Sequence, residues 1–285
     1  MVAGYRADLD SGSRNGCGVP CFHGTVDMVV DKIKVEAFPR EGWSVMVIDV
    51  LASSDFHGNL PKVETPFDLF FVCGDVCPAH DHYVSFQKEW LETEYVDWVK
   101  SLPYKDDESM VVMTWGNHDY FGERGSKIDV AALVHACDGR LAVLKNEAFT
   151  WWHALDKVEI FGTPYCKMFG SWPFMVSEET LDKKFAKIPE GLDFLITHDS
   201  PTLNDLGKIH EGWQPGVQAG NVVLDRHIMR AMPKFVFSGH IHSGSHELGS
   251  VEGVSMANVS YVDETYSPRW EPLHIKYNMG TKSNI

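Results

Sequence analysis

Five short apolar runs in this chain each stop at a block of side chains suited to holding a metal ion. Residues 45–51 lead into Ser54-Asp55-Phe56-His57-Gly58-Asn59, and residues 67–73 into Gly74-Asp75. Residues 110–114 lead into Gly116-Asn117-His118-Asp119, residues 194–197 into His198-Asp199, and residues 235–238 into Gly239-His240-Ile241-His242. Apolar runs this short, bounded by turn-forming residues, read as buried strands. In an open α/β sheet the crevice beyond the carboxyl ends of the strands is where ligands bind. The pattern therefore predicts strands that deliver aspartate, asparagine and histidine to one spot. Gly74, Gly116 and Gly239 precede three of the blocks and permit sharp turns and close backbone approach.

Further apolar runs at 140–144, 158–161 and 254–262 extend the set of expected strands. Helical spacing of apolar residues appears at 84–102, where Phe86, Trp90, Tyr95, Trp98 and Leu102 recur every three to five positions. Residues 128–137, 178–188 and 222–232 read the same way. Strand and helix alternate over most of the chain, so the expected class is α/β with a buried sheet core. The closer spacing of the strands between 140 and 161 predicts some antiparallel pairing, hence mixed sheets. The expected organisation is an N-terminal extension over residues 1–40 and one domain over 41–285, since no linker separates two halves.

No stretch of 18 or more apolar residues occurs, so no membrane span is expected. Residues 1–15 carry Arg6, Asp8, Asp10 and Arg14 without an apolar core, so no cleavable secretion signal is expected either. The reading is therefore cytoplasmic, with the six cysteines reduced. Cys17, Cys21 and His23 faintly resemble a zinc site but lack a second ligand pair. The formal net charge of −15 repels polyphosphate backbones at long range and argues against a nucleic-acid partner.

Carboxylate oxygens and imidazole nitrogens together suit Mn²⁺, Fe, Zn²⁺ or Ni²⁺ rather than Ca²⁺. Two aspartates, one asparagine and several histidines are too many for one tetrahedral ion. Two ions about 3.5–4 Å apart, sharing one carboxylate, fit the count and would clamp an in-line displacement at phosphorus. Manganese is the expected metal. Asp119 either orients a ligand or His118, or is a turn or cap residue. Cys73 and Cys77 flank Asp75 and read as buried thiols. His153 and His274 read as structural. The aromatic stretches Trp151-Trp152 and 169–174 either wall a substrate cleft or pack in the core.

These blocks, in this order, resemble the signature blocks of the calcineurin-like metallophosphoesterase superfamily. Within it the chain is similar to the small metallophosphoesterase-domain-containing proteins. Phe161-Gly162-Thr163-Pro164, Trp172-Pro173-Phe174 and the stretch 188–193 support the likeness, which spans about residues 45–275. The resemblance implies a four-layer fold of two mixed sheets with helices outside. It also implies a division of ligands. Asp55, His57, Asp75 and His242 would take one ion, and Asp75, Asn117, His198 and His240 the other. A hydroxide between the ions would be the nucleophile, with His118 over the phosphate. Protein phosphatases of the superfamily carry an arginine soon after the Gly-Asp block. Here the stretch is Asp75-Val76-Cys77-Pro78-Ala79-His80-Asp81, without one, which disfavours that activity. His80 or His82 could contact substrate instead, or be solvated loop histidines.

The function expected is a two-metal phosphodiesterase on small diesters such as cyclic nucleotides. A nuclease on the same site and a non-catalytic scaffold of the same fold are the alternatives.

Overall fold

A strand covered on both faces must be apolar at every position, and β2 (Leu69–Cys73, LFFVC) is buried throughout. Successive side chains point to opposite faces. Phe70 and Val72 pack with a layer of helices, while Leu69, Phe71 and Cys73 pack into a core between two sheets. Burying one such phenylalanine contributes about 1.5–3 kcal/mol.

The computed structural model describes residues 46–285, which pack as one unit. Cys17, Cys21, His23 and the extension 1–40 lie outside the described residues. In chain order the strands are β1 (Val47–Ser53), β2, β3 (Met110–Thr114), β4 (Leu141–Leu144), β5 (Glu147–His153), β6 (Asp156–Thr163), β7 (Cys166–Lys167), β8 (Met175–Val176), β9 (Phe194–Thr197), β10 (Phe235–Ser238), β11 (Gly249–Val251), β12 (Val254–Asn258), β13 (Leu273–Asn278) and β14 (Ser283–Asn284). The helices are α1 (Val84–Trp90), α2 (Val96–Ser101), α3 (Tyr120–Arg124), α4 (Lys127–Ala136), α5 (Glu178–Phe185) and α6 (Val222–Ala231).

Two six-stranded sheets run in the orders β14-β13-β1-β2-β3-β4 and β11-β12-β10-β9-β6-β5, with β7 and β8 forming a small pair. The centre of each sheet is parallel, and antiparallel partners (β13, β5 and β11) sit towards the edges, so both sheets are mixed as expected. Phe71, Phe194 and Phe237 are among the side chains that fill the space between the sheets. Outside, α1, α2 and α4 cover the first sheet with Trp90, Val99 and Leu133, and α5 and α6 cover the second with Leu181, Phe185 and Ile228. This is the four-layer α/β arrangement.

The predicted helix over 84–102 is interrupted. Leu91–Tyr95 forms a π-helical turn between α1 and α2. The five-residue step from Trp90 to Tyr95 fits that wider turn, which keeps both rings buried. The helix predicted from residue 128 starts one position earlier as α4, fixed by a capping box between Ser126 and Asp129. The strand expected over 254–262 stops at Asn258, whose side chain then bonds the chain at Ser260 and turns it towards the site. Among the described residues no helix is long and apolar enough to cross a membrane.

Candidate metal centre

The parallel strands of both sheets end on the same side of the molecule, and the loops there stay in register beyond the strands. Asp55 N–H donates to the Gly74 carbonyl (2.9 Å) and His57 N–H to the Asp75 carbonyl (2.9 Å). Four ligand-type residues there, Asp55, His57, Asp75 and His240, hold left-handed backbone with φ of 55°, 46°, 52° and 69°. Such conformations cost about 1–3 kcal/mol each for a residue with a side chain and cluster at functional sites. Gly239 shows how tight the approach is. A Cβ there would lie 2.2 Å from Asp55 Oδ2, and one at Gly116 would lie 2.2 Å from Asp75 Oδ1.

Asp75 sits at the centre. Its Oδ1 accepts the His118 N–H at 2.6 Å, and its Oδ2 lies 3.7 Å from His57 Nε2 and 3.4 Å from His198 Nε2. His198 Nδ1 donates to the Cys73 carbonyl (3.0 Å), so the lone pair of neutral His198 is on Nε2, 2.8 Å from Asn117 Oδ1. His242 Nδ1 donates to the Asp263 carbonyl (3.0 Å). Its Nε2 therefore faces Asp55 Oδ1 at 3.5 Å and His57 Nε2 at 3.3 Å. Lone pairs and carboxylate oxygens thus converge, with backbone carbonyls orienting the rings from behind. That is the arrangement that holds a cation.

Candidate ligand atoms within 4.8 Å of one another form three overlapping groups here: Asp55–His57–His242, Asp55–Asp75–His198 and His57–Asp75–His118. Asp75 belongs to two of them, with histidines on both sides. Asn117 meets His198 directly. His240 is placed beside them, its ring 5.0 Å from that of His198, and its N–H donates to the Asp55 carboxylate at 3.1 and 3.0 Å.

Burial pushes the Asp55 carboxyl up, but hydrogen bonding and charge from His242, with His198 and His57 nearby, outweigh it and hold it below its ordinary value. Asp75 is pushed well up by burial and then by the charges of Asp119 and Asp55. Burial, then His242 and His118, depress His57, and burial, then His198, depress His240. His118 is lowered to about 3 by burial and by His82, His198 and His242, so its ring is neutral at pH 7. Burial pulls His242 down, but its bond to Asp55 and the charge of that carboxyl outweigh it and raise His242 above its ordinary value.

Asp119 is fully buried. Its Oδ1 accepts the Cys77 N–H (3.0 Å) and its Oδ2 the Gly116 N–H (2.8 Å), so it ties the β2 loop to the β3 loop. At the start of α3 it makes no side-chain capping bond. Sequence reasoning missed three further supports. Ser260 Oγ donates to Asp55 Oδ2 at 2.8 Å. Gln87 on α1 donates to the His118 carbonyl (2.8 Å) and accepts the Phe121 N–H (2.9 Å). His246 Nε2 donates to the His242 carbonyl (2.8 Å). None of these carries a local motif; each is recognisable only by what the fold brings opposite it.

Asp75, Asn117, His118, His240 and His242 border a cleft of about 350 Å³ whose other walls are Phe169, Trp172, Trp213, Glu264 and Tyr266. Of the aromatic stretches, Phe169 and Trp172 do face the site. Phe174 and Trp151 are core residues, and Trp152 is exposed on β5, so the cleft-wall alternative does not hold for Trp151-Trp152. Trp213 and Tyr266 come from loops that had no readable signal. Cys73 and Cys77 are buried free thiols, both pushed up by burial, and neither belongs to the close ligand groups. His153 and His274 pair with Glu108 and Asp49 instead.

A family model described as calcineurin-like phosphoesterase matches residues 48–244, which hold every one of these candidate ligands. The chain belongs to the calcineurin-like phosphoesterase family. Human and mouse metallophosphoesterase domain-containing protein 1 are each 26% identical to it over 267 residues, covering 87% of this chain and 75% of theirs. One solved structure superposes with a TM-score of 0.56 at 14% identity, over 84% of this chain and 98% of its own, which supports the fold. The calcineurin-like phosphoesterases are metal-dependent hydrolases, and this member carries side chains that could hold a metal ion at each of the five blocks.

Proposed function

We propose that this calcineurin-like phosphoesterase is a two-metal phosphodiesterase for small diesters, cyclic nucleotides among them. The observation that carries the reading is Asp75, whose Oδ2 faces His57 on one side and His198 on the other. One ion would be held by Asp55, His57, Asp75 and His242, and the other by Asp75, Asn117, His198 and His240. A pair of divalent ions, manganese foremost, supplies hydroxide at neutral pH and neutralises charge building on the phosphate oxygens.

The chain's own groups do the rest. Asp75 is held by the His118 N–H, so one oxygen is committed to the loop and the other is left for metal. His118 is held over the cleft by Gln87 through its carbonyl and by Trp172, whose ring lies 4.5 Å away. A neutral imidazole there can donate one N–H to a phosphate oxygen, and an approaching anion favours its protonation for transfer to the leaving oxygen. No arginine follows Gly74-Asp75 to grip the second charge of a monoester, which favours the singly charged diester. Phe169, Trp172, Trp213 and Tyr266 suit a substrate with a planar ring. We also infer a cytoplasmic location, supported by the four unpaired thiols of the described region.

The test is hydrolysis of bis-p-nitrophenyl phosphate, p-nitrophenyl phosphate, 3′,5′-cyclic AMP and supercoiled plasmid by the Mn²⁺-loaded protein. The diesters of low mass should give the highest kcat/KM. A higher value for the monoester, or plasmid nicking of comparable efficiency, would displace the reading.

A further inference from the structure

The β2 loop lacks an arginine, yet the fold brings one to the same neighbourhood from α3. A second cleft, of about 450 Å³, is lined by His80, Asp81, His82, Tyr83 and Arg124. It adjoins the metal cleft through His82, whose ring lies 5.5 Å from that of His118 and 5.2 Å from that of Trp172. His118 and Trp172 are themselves walls of the metal cleft.

Its cationic side is braced. Tyr120 stacks on His82 at 5.0 Å, and the Arg124 guanidinium lies over the Tyr120 ring at 4.7 Å. The ion pair of Arg124 is with its own neighbour Glu123, Nε to Oε2 at 3.5 Å, an exposed contact that holds it weakly. Among the described residues its two Nη atoms make no hydrogen bond, which leaves the outer fork of the guanidinium for a ligand. Among the described residues the enclosed His82 Nε2 has no hydrogen-bond partner. Asp81, the one carboxylate in the cleft wall, has its Oδ1 taken up by the Tyr83 N–H at 2.8 Å. In a chain of net charge −15, this cleft gathers one guanidinium and two imidazoles against a single carboxylate.

We propose that this cleft binds a second phosphate carried by the substrate, so that the preferred esters bear one phosphate at the metal centre and another at His82 and Arg124. A guanidinium fork matches phosphate oxygens, and each charge-assisted bond adds to affinity only when that phosphate is present. The proposal rests on the phosphodiesterase reading above, because it places the scissile phosphate in the first cleft.

Calorimetric titration of the Mn²⁺-loaded full chain with thymidine 5′-monophosphate and thymidine 3′,5′-bisphosphate tests it, with both nucleotides recovered intact afterwards. The bisphosphate should bind about 10-fold or more tightly. That ratio should fall to near one in Arg124→Ala and recover in part in Arg124→Lys. Equal affinities in the wild type, a ratio that survives Arg124→Ala, or no binding of either nucleotide at millimolar concentration would each overturn it. Hydrolysis of bis-p-nitrophenyl phosphate is scored alongside. Its absence defeats the phosphodiesterase reading, whereas normal hydrolysis with equal affinities defeats the second subsite alone.

Discussion

Asp75 holds the centre because three things converge on it: a left-handed backbone, the His118 N–H on one oxygen, and histidines from both sheets facing the other. Asp75→Ala should lower diester turnover by at least about 10³-fold, since it removes a charge that neither ion can do without. Steady-state rates with bis-p-nitrophenyl phosphate decide this, and a variant retaining a tenth of wild-type activity would contradict the bridging role. His118→Ala should cut kcat by about 10²–10⁴-fold while bound metal stays near wild type, because no backbone or carboxylate position of the centre depends on its ring. Atomic absorption run beside the kinetics separates the two variants. Asp119→Ala belongs to a third kind. It strands the buried amides of Cys77 and Gly116, so metal affinity should drop about 10–100-fold with a loss of melting temperature, and Asp119→Asn should restore only part of either.

At the scale of elements, the ligands are carried by loops and the loops by braces from distant elements. Gln87 on α1 is such a brace, fully buried and bonded to both sides of the His118 turn. Gln87→Leu should cost about 1–3 kcal/mol for each backbone group left without a partner. Denaturant unfolding should show that loss, and kcat should fall more than KM rises because His118 is no longer held. The strands and their ligand blocks were legible because a strand buried on both faces leaves an uninterrupted apolar run, and a ligand block ends that run abruptly. Strands β5 and β13 were not legible: Glu147–His153 mixes exposed and buried positions, and Leu273–Asn278 does the same beside the short edge strand β14. Trp213, Ser260 and Tyr266 escaped for a different reason. Their role depends on where a loop lands, and no local periodicity encodes that.

At the scale of the whole molecule, two sheets meet along a core of aromatic and branched side chains, and the site sits where both end. Stability and metal occupancy should therefore be linked. Metal that binds only the folded state raises stability by about 4 kcal/mol at a thousandfold excess over its Kd. Chelation with EDTA should lower the melting temperature by several degrees, and Mn²⁺ should restore it; an unchanged melting curve would show that the charged cluster is stable by itself. The same packing encloses Cys73, Cys77, Cys137 and Cys166, and Cys137 is pushed up to about 11, chiefly by burial. In a variant with Cys17 and Cys21 changed to serine, Ellman's reagent should find no reactive thiol before unfolding. The central claim remains that one aspartate is shared between two cations. Anomalous scattering from crystals soaked in Mn²⁺ examines it directly. Two peaks should flank Asp75, one towards His57 and His242 and the other towards His198 and His240. A single peak, or manganese bound away from Asp75, would contradict it.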